Sequence, residues 1–291
     1  MTSYKEALHK VLKVSKINKK KEFIKNLKNE TLSENIYSKK DNPSFNNSLL
    51  DGFVFKSSDT KKNSHFKLNG ELAVGQNKKI KYVKNTCYRV STGGKIVPPY
   101  DCMLPYEQVE VIDGLIEIPK KIKKFSNVRL RGSDFKRGDL LIKKNQKITP
   151  AKKLLIKSSG NEKIQIYEMP NIILFCSGDE ISDKIVFNDK VINSIPEYIS
   201  SYKELYNFNF KYLGVVKDNK KSINKIFSKI KNLNNTIILS TGGVSAGHKD
   251  YFPKFLKQKK YKILFHRIGM QPGRPTLFAT KNNNYYFGLP G

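Results

Sequence analysis

Asn171-Ile172-Ile173-Leu174-Phe175 runs directly into Cys176-Ser177-Gly178-Asp179-Glu180, and Asn235-Thr236-Ile237-Ile238-Leu239 runs into Ser240-Thr241-Gly242-Gly243-Val244-Ser245-Ala246-Gly247 and on to Asp250. Each five-residue apolar run, rich in β-branched residues and ending in glycine and hydroxyl residues, reads as a buried strand. A strand that turns through such a loop into a helix presents backbone N–H groups at the helix start, which suits an anion or phosphate. Carboxylates stand beside both loops, at Asp179, Glu180 and Asp250. Negative groups next to a phosphate cradle point to a divalent cation between them. The second loop is not a nucleotide-binding loop that closes with Gly-Lys-Ser/Thr, and its glycines lack the dinucleotide spacing.

Outward from these loops, the last third of the chain alternates strand and helix. Strand 171–175 leads to a helix from about residue 195, where Ser194 and Glu197 read as a capping box. Strand 210–216 leads to Ser222, Ile223, Ile226, Phe227 and Ile230 at helical spacing, and strand 235–239 leads to a helix after Asp250. Residues 284–287 form another strand that ends in Gly288-Leu289-Pro290-Gly291. This succession predicts a parallel sheet with helices on both faces and a ligand beyond the carboxyl ends of its strands. Pro272-Gly273-Arg274-Pro275 sets an arginine in a rigid turn suited to an oxyanion.

The first half has a different texture. Ser3 and Glu6 form a second capping box ahead of Tyr4, Ala7, Leu8, Val11 and Leu12, so an amphipathic helix opens the chain. Residues 17–31 are lysine-rich and read as weakly ordered. From about residue 45 to 130 short strands, such as 81–83, 88–90 and 108–112, are broken by turns, as in a small β domain. Arg131-Gly132-Ser133-Asp134 and Arg137-Gly138-Asp139 mark a boundary, after which Thr149-Pro150 opens a helix that Gly160 closes.

Composition sets the outer bounds. A chain of 291 residues suffices for two or three domains, and a net charge of +30 comes almost entirely from lysine. That charge, with abundant Asn and Ile and no Trp, reads as a lysine-coated surface that steers anionic substrates; nucleic acid is not the expected partner. Cys87, Cys102 and Cys176 have no metal-ligand spacing and, being few and odd in number, suit a reducing compartment. Neither a membrane-length apolar run nor a signal-peptide core is present, so a cytoplasmic location is expected.

Several motifs in order carry a family resemblance: Phe45-Asn46-Asn47-Ser48-Leu49-Leu50-Asp51-Gly52-Phe53, Ser91-Thr92-Gly93, Arg131-Gly132-Ser133-Asp134, Ser177-Gly178-Asp179-Glu180, Leu213-Gly214-Val215-Val216-Lys217-Asp218, the loop from Ser240 to Tyr251, Pro272-Gly273-Arg274-Pro275 and Gly288-Leu289-Pro290-Gly291. In these the chain resembles the MoeA family of molybdopterin molybdenumtransferases, related to the gephyrin E domain. The resemblance implies a multidomain α/β protein. A discontinuous N-terminal linker domain (1–44 and 135–168) would carry an inserted β-rich domain (45–134), and a molybdopterin-binding α/β domain (169–291) would follow. It implies a Mg²⁺-dependent transferase that inserts molybdate into adenylylated molybdopterin and releases AMP.

The resemblance assigns the acidic catalytic positions to Asp51, Asp134, Glu180, Asp218 and Asp250, with Glu180 and Asp250 holding Mg²⁺ or a water. It assigns substrate binding to Thr92, Ser177, Gly178, Ser240, Thr241, Gly242, Gly243, Ser245, Arg267, Arg274 and Pro290. It also implies a homodimer in which Asp51, Thr92 and Asp134 face the other subunit's catalytic domain, and a contact with the molybdopterin adenylyltransferase. Departures from the family pattern are Ser194-Ile195 in place of Ser/Thr-Asn and Gln271 at a usually basic position. The Asn-Pro segment and C-terminal β domain that usually follow Leu-Pro-Gly are not in this chain. The alternative reading is therefore a non-catalytic molybdopterin-binding scaffold dimer.

Overall fold

The computed structural model describes the chain except for residues 74, 76–79, 119–120, 186–189, 218, 231–232, 244–250 and 291 and the side chains of Glu204 and Tyr251. It divides into two compact units: Glu22–Leu27 with Glu34–Ile164, and Met1–Lys21 with Lys28–Ser33 and Gln165–Gly291. The chain opens with helix α1 (Tyr4–Val14). Its capping box forms as the sequence predicts, with Ser3 Oγ accepting from the Glu6 N–H and the Glu6 carboxylate accepting from the Ser3 N–H. The stretch expected to be weakly ordered instead holds a strand, Lys19–Phe23, and a 3₁₀ turn, Ile24–Asn26. Ile24 and Leu27, buried among the lysines, supply the apolar anchors that the charge count hides.

The unit built around 34–164 centres on a six-stranded sheet among the described residues: β1 (Gly52–Phe55), β2 (His65–Leu72), β3 (Thr86–Val90), β4 (Cys102–Pro105), β5 (Glu110–Ile112) and β6 (Leu115–Glu117), in the order β4-β1-β3-β2-β6-β5. Its core lies on both faces. Phe53, Phe55, Phe66 and Leu104 pack together in one cluster, and Val54, Tyr88, Val90, Tyr100 and Met103 in the other, as alternation along β1 requires. Residues 81–83, expected as a strand, are not one. The Tyr82 hydroxyl donates to the buried Asp59 carboxylate at 2.8 Å, which anchors this stretch by a side chain. Residues 106–108 form a 3₁₀ turn, so the strand expected over 108–112 starts only at Glu110. Helix α2 (Pro150–Ser158) has Thr149 as its cap, accepting from the Lys152 N–H, and Pro150 in its first turn.

In the other unit the remaining elements are β7 (Asn171–Ser177), α3 (Ile195–Tyr206), β8 (Phe210–Val216), α4 (Lys220–Lys229), β9 (Thr236–Thr241), α5 (Tyr251–Gln258), β10 (Lys262–His266), β11 (Leu277–Lys281) and β12 (Asn284–Leu289). The sheet order is β8-β7-β9-β12-β11-β10. The first four strands are parallel, as read from the βαβ succession. β11 runs antiparallel to both of its neighbours, β12 and β10, which corrects the expectation of a parallel sheet. The cause is local: Asn282, in the left-handed region, makes a hairpin between β11 and β12 that needs no crossover helix.

Both faces of the sheet are covered by helices. α4 and α5 pack Phe227, Phe252 and Phe255 with Phe175, Ile238 and Tyr286, whereas Ala7, Val11 and Val14 of α1 pack with Phe278 and Tyr285. The Ser194–Glu197 capping box is not formed. Ser194 has helical backbone angles and makes no side-chain cap bond.

Candidate functional site

Register brings the loop ends of the parallel strands to one edge. Cys176 pairs with Thr241, and Thr241 with Leu289, so Ser177-Gly178, Gly242-Gly243 and Pro290 emerge side by side. The antiparallel strands add a fourth loop. Ser240 aligns with Gly288, Gly288 with Leu277 and Leu277 with His266, which places the 267–276 turn at the same edge. Within that turn the Arg267 N–H donates to the Thr276 carbonyl and the Ile268 N–H to the Arg274 carbonyl, each at 2.9 Å. Both arginine side chains are exposed there. The turn is itself tied down, because Thr2 and Ser3 pair in parallel with Ile268 and Gly269.

The two glycine loops touch. A β-carbon at Gly242 would collide with the Ser177 carbonyl, and one at Gly243 with the Phe252 ring, and both glycines have left-handed φ (78° and 67°). The second glycine loop is therefore packed directly onto the first, which only glycine permits. Part of the expected cradle is already occupied. The Gly242 N–H donates to the Leu289 carbonyl and the Gly178 N–H to the Val216 carbonyl. Ser177, Ser240 and Thr241 are buried strand-end residues, and Ser240 Oγ lies 2.6 Å from the Tyr286 hydroxyl inside the core. The hydroxyl of Ser240 is thus turned away from the edge, and an anion there meets glycine backbone and the two arginines instead.

Glu180 is exposed, and its carboxylate folds back over Gly178. Its carbonyl accepts from the Val191 N–H at 2.9 Å, the first rung of a short parallel pairing of Ile181–Ser182 with Val191–Ile192. Asp218, Ser245 and Asp250 lie outside the described residues. Among the described residues no group of three or more His, Cys, Asp or Glu side chains is arranged to hold a metal ion.

Asp51, Thr92 and Asp134 belong to the β-rich unit. Asp51 Oδ1 accepts from the Thr92 N–H at 2.6 Å and from its hydroxyl at 3.1 Å, so the two form one fixed pair. Asp134 accepts from Arg129 at 2.6 Å and from Asn42 Nδ2 at 2.8 Å. The Arg129 guanidinium is pushed further above its ordinary range by the hydrogen bond and charge of Asp134. Both pairs flank one ribbon: Ser48 bonds Gly93 and Gly94 on one side, while Asn47–Ser48 pairs with Val128–Arg129 on the other. Arg129 escaped the sequence reading, although it stands five residues before Asp134.

A parallel-strand edge with two interlocked glycine loops and an arginine turn defines an α/β domain whose strand-end edge is suited to anions, here in one chain with a β-rich unit. The family model described as "MoeA N-terminal region (domain I and II)" matches residues 2–160, and the one described as "Probable molybdopterin binding domain" matches residues 173–291. The chain belongs to the MoeA family. It is similar to the molybdopterin molybdenumtransferase of Staphylococcus aureus strain Mu50, 28% identical over 272 residues that make up 90% of this chain and 64% of the relative. The enzyme of the same name from Staphylococcus epidermidis strain RP62A is 28% identical over 269 residues, 89% of this chain and 64% of the relative. This chain thus spans less than two thirds of the length of these relatives. A crystal structure of a molybdopterin biosynthesis MoeA protein from Pyrococcus horikoshii shares the fold with a TM-score of 0.85 at 23% identity, covering 100% of this chain and 75% of that one. No helix among the described residues is long and apolar enough to cross a membrane.

Proposed function

We propose that this member of a molybdenum cofactor biosynthesis family inserts molybdate into adenylylated molybdopterin and releases AMP. The observation that carries the reading is the register-aligned edge where Gly178, Gly242, Gly243 and Pro290 meet the turn bearing Arg267 and Arg274. Pyrophosphate and molybdate are both anions, and such an edge offers close backbone approach and guanidinium groups together. In this reading Arg267 and Arg274 neutralise and orient the anions. The interlocked glycines let phosphate lie against the main chain and keep water out. Asp218 is assigned to the same reaction by the family pattern alone.

Mg²⁺ is the proposed cofactor. It needs only one or two carboxylates when phosphate oxygens and waters complete its shell, so a single exposed Glu180 beside the glycine loop fits, with Asp250 as second donor. When bound, the ion would neutralise charge on the phosphate oxygens. The proposal includes a homodimer in which the Asp51–Thr92 pair and Asp134 act at the other subunit's site, and the three-part domain division 1–44 with 135–168, 45–134 and 169–291.

The test is an AMP-release assay on this chain with adenylyl-molybdopterin, molybdate and Mg²⁺, beside Glu180→Gln. Release that the substitution abolishes supports the reading. Tight pterin binding without AMP release would establish the non-catalytic scaffold instead.

A further inference from the structure

The chain makes an excursion after Glu180 and returns to helix α3 at Ile195. Near its start stands Asp183 and near its end Asn193; both bond the Tyr212 hydroxyl of the sheet, and Asn193 also meets Cys176. The Tyr212 hydroxyl, on β8, donates to Asp183 Oδ1 at 2.7 Å. Asn193 Nδ2 donates to that same carboxylate oxygen at 2.9 Å and to the Tyr212 hydroxyl at 2.8 Å. The amide oxygen of Asn193 faces the buried Cys176 thiol at 3.5 Å, one residue before Ser177. Tyr212 and Cys176 are fixed by the sheet, so this network ties both ends of the excursion to the strands that end at the anion edge.

We infer that Tyr212 and Asn193 are positioning residues that hold the Glu180 carboxylate at the glycine loop, and that Asp183 is the hinge post they grip. The inference rests on the proposed function, because it gives a purpose to a fixed Glu180. The path to Glu180 is short. Asn193 also donates its N–H to the Ser182 carbonyl at 2.9 Å, and Val191 donates to the carbonyl of Glu180 itself. Loss of the side-chain network would leave the main chain around Glu180 held by the two-rung pairing of 181–182 with 191–192 and by the long bond from the Ile181 N–H to the Gly178 carbonyl at 3.3 Å. A network of side chains sharing one acceptor is worth more than its separate bonds, since each polarises the next. The Tyr212 hydroxyl is held protonated well above the usual phenol range by burial and by its bond to Asp183, so it stays a donor at all working pH values.

The experiment compares wild type with Tyr212→Phe, which removes only the hydroxyl, and with Asn193→Ala. Hydrogen exchange is read at the Ile181 and Val191 amides, and AMP release is titrated with Mg²⁺. Expected for Tyr212→Phe is exchange at both amides faster by about tenfold relative to β7 amides. Half-maximal Mg²⁺ should rise by about tenfold, in the range seen when an outer-shell partner of a metal ligand is lost, with KM for adenylyl-molybdopterin within twofold of wild type. Faster exchange with an unmoved Mg²⁺ midpoint would reduce the network to a purely structural tie and overturn the inference. Unchanged exchange in both variants would overturn it outright. A wild type that releases no AMP would sink the proposed function, and the clamp would then stand or fall on exchange and on Mn²⁺ binding to the wild type and Tyr212→Phe proteins. Equal Mn²⁺ affinity, or none in either protein, would overturn it.

Discussion

The Glu180 carboxylate lies so close over Gly178 that a β-carbon at position 178 would sit 2.6 Å from Oε1. The obstructing atoms are the far end of a flexible side chain, so the conflict is relieved by moving the carboxylate and not the backbone. Gly178→Ala should therefore fold, losing about 1–3 kcal/mol from its positive φ, and yet displace Glu180. The expected outcome is a melting temperature lowered by only about 2–10 °C with AMP release reduced by at least tenfold, read by thermal unfolding and turnover on one sample.

Gly242 answers differently. There the β-carbon would meet the backbone carbonyl of Ser177 and φ is 78°, so nothing flexible can yield. Gly242→Ala should cost roughly 2–4 kcal/mol, the range of combined overpacking and backbone strain. A urea midpoint equal to wild type would show that the loops are not interlocked.

Arg267 holds a left-handed φ of 71° while exposed at the anion edge. Arg267→Gly relieves strain of about 1 kcal/mol but returns 0.5–1 kcal/mol of freedom to the unfolded chain, so stability should barely change. Anion affinity should fall, measured by calorimetric titration with molybdate or with pterin phosphate. Unaltered affinity would remove this arginine from the site.

The sequence reading treated Ser240 as part of a phosphate cradle, whereas its hydroxyl faces Tyr286 in the core. Ser240→Ala should strand the buried phenol and destabilise by about 1–3 kcal/mol, and Tyr286→Phe should do likewise in reverse. The double variant should lose less than the sum, and anion binding should survive in it. Chemical denaturation of the four proteins closes the cycle.

Cys87 and Cys102 are buried, and burial pushes each thiol up to about 12. At pH 8 the thiolate fraction is then on the order of 10⁻⁴, against tens of per cent for a free thiol. Neither should react with a thiol reagent until the protein unfolds. Because the folded-state value is raised, their contribution to stability is complete below about pH 8.5 and is lost as pH climbs towards 12. Denaturant midpoints measured from pH 7 to 11 should fall across that window, and Cys87→Ala should flatten part of the fall.

Much of this was readable because it is written locally. Ser3 and Glu6, Thr149 and Pro150, and the apolar run before Ser177 each carry their own structural instruction. The antiparallel strands were not readable in that way, since their direction depends on a turn at Asn282 and not on apolar periodicity. The Ser194–Glu197 pair has the right spacing for a box, but Ser194 takes helical angles, and a cap needs an extended residue there. The Pro-Gly turn brought Arg274 into the reading and the family resemblance brought Arg267, but only strand register sets their turn beside Gly178 and Gly242. The Asp183–Asn193–Tyr212 network had no signal at all, because hydrogen bonds between residues distant in sequence leave no period.

The pairing of Thr2 and Ser3 with Ile268 and Gly269 joins stretches of chain that lie 266 residues apart in sequence. One compact unit is assembled from three separate stretches of chain that enclose the other unit. At roughly 5–20 residues per second of synthesis, α1 therefore waits on the order of tens of seconds for its sheet. During that interval the β-rich unit has all its segments and can fold, while Ala7, Val11 and Val14 have nothing to pack against. The nascent chain thus carries a bare amphipathic helix for that interval, and this unit closes only when Ile268 and Gly269 arrive to pair with Thr2 and Ser3.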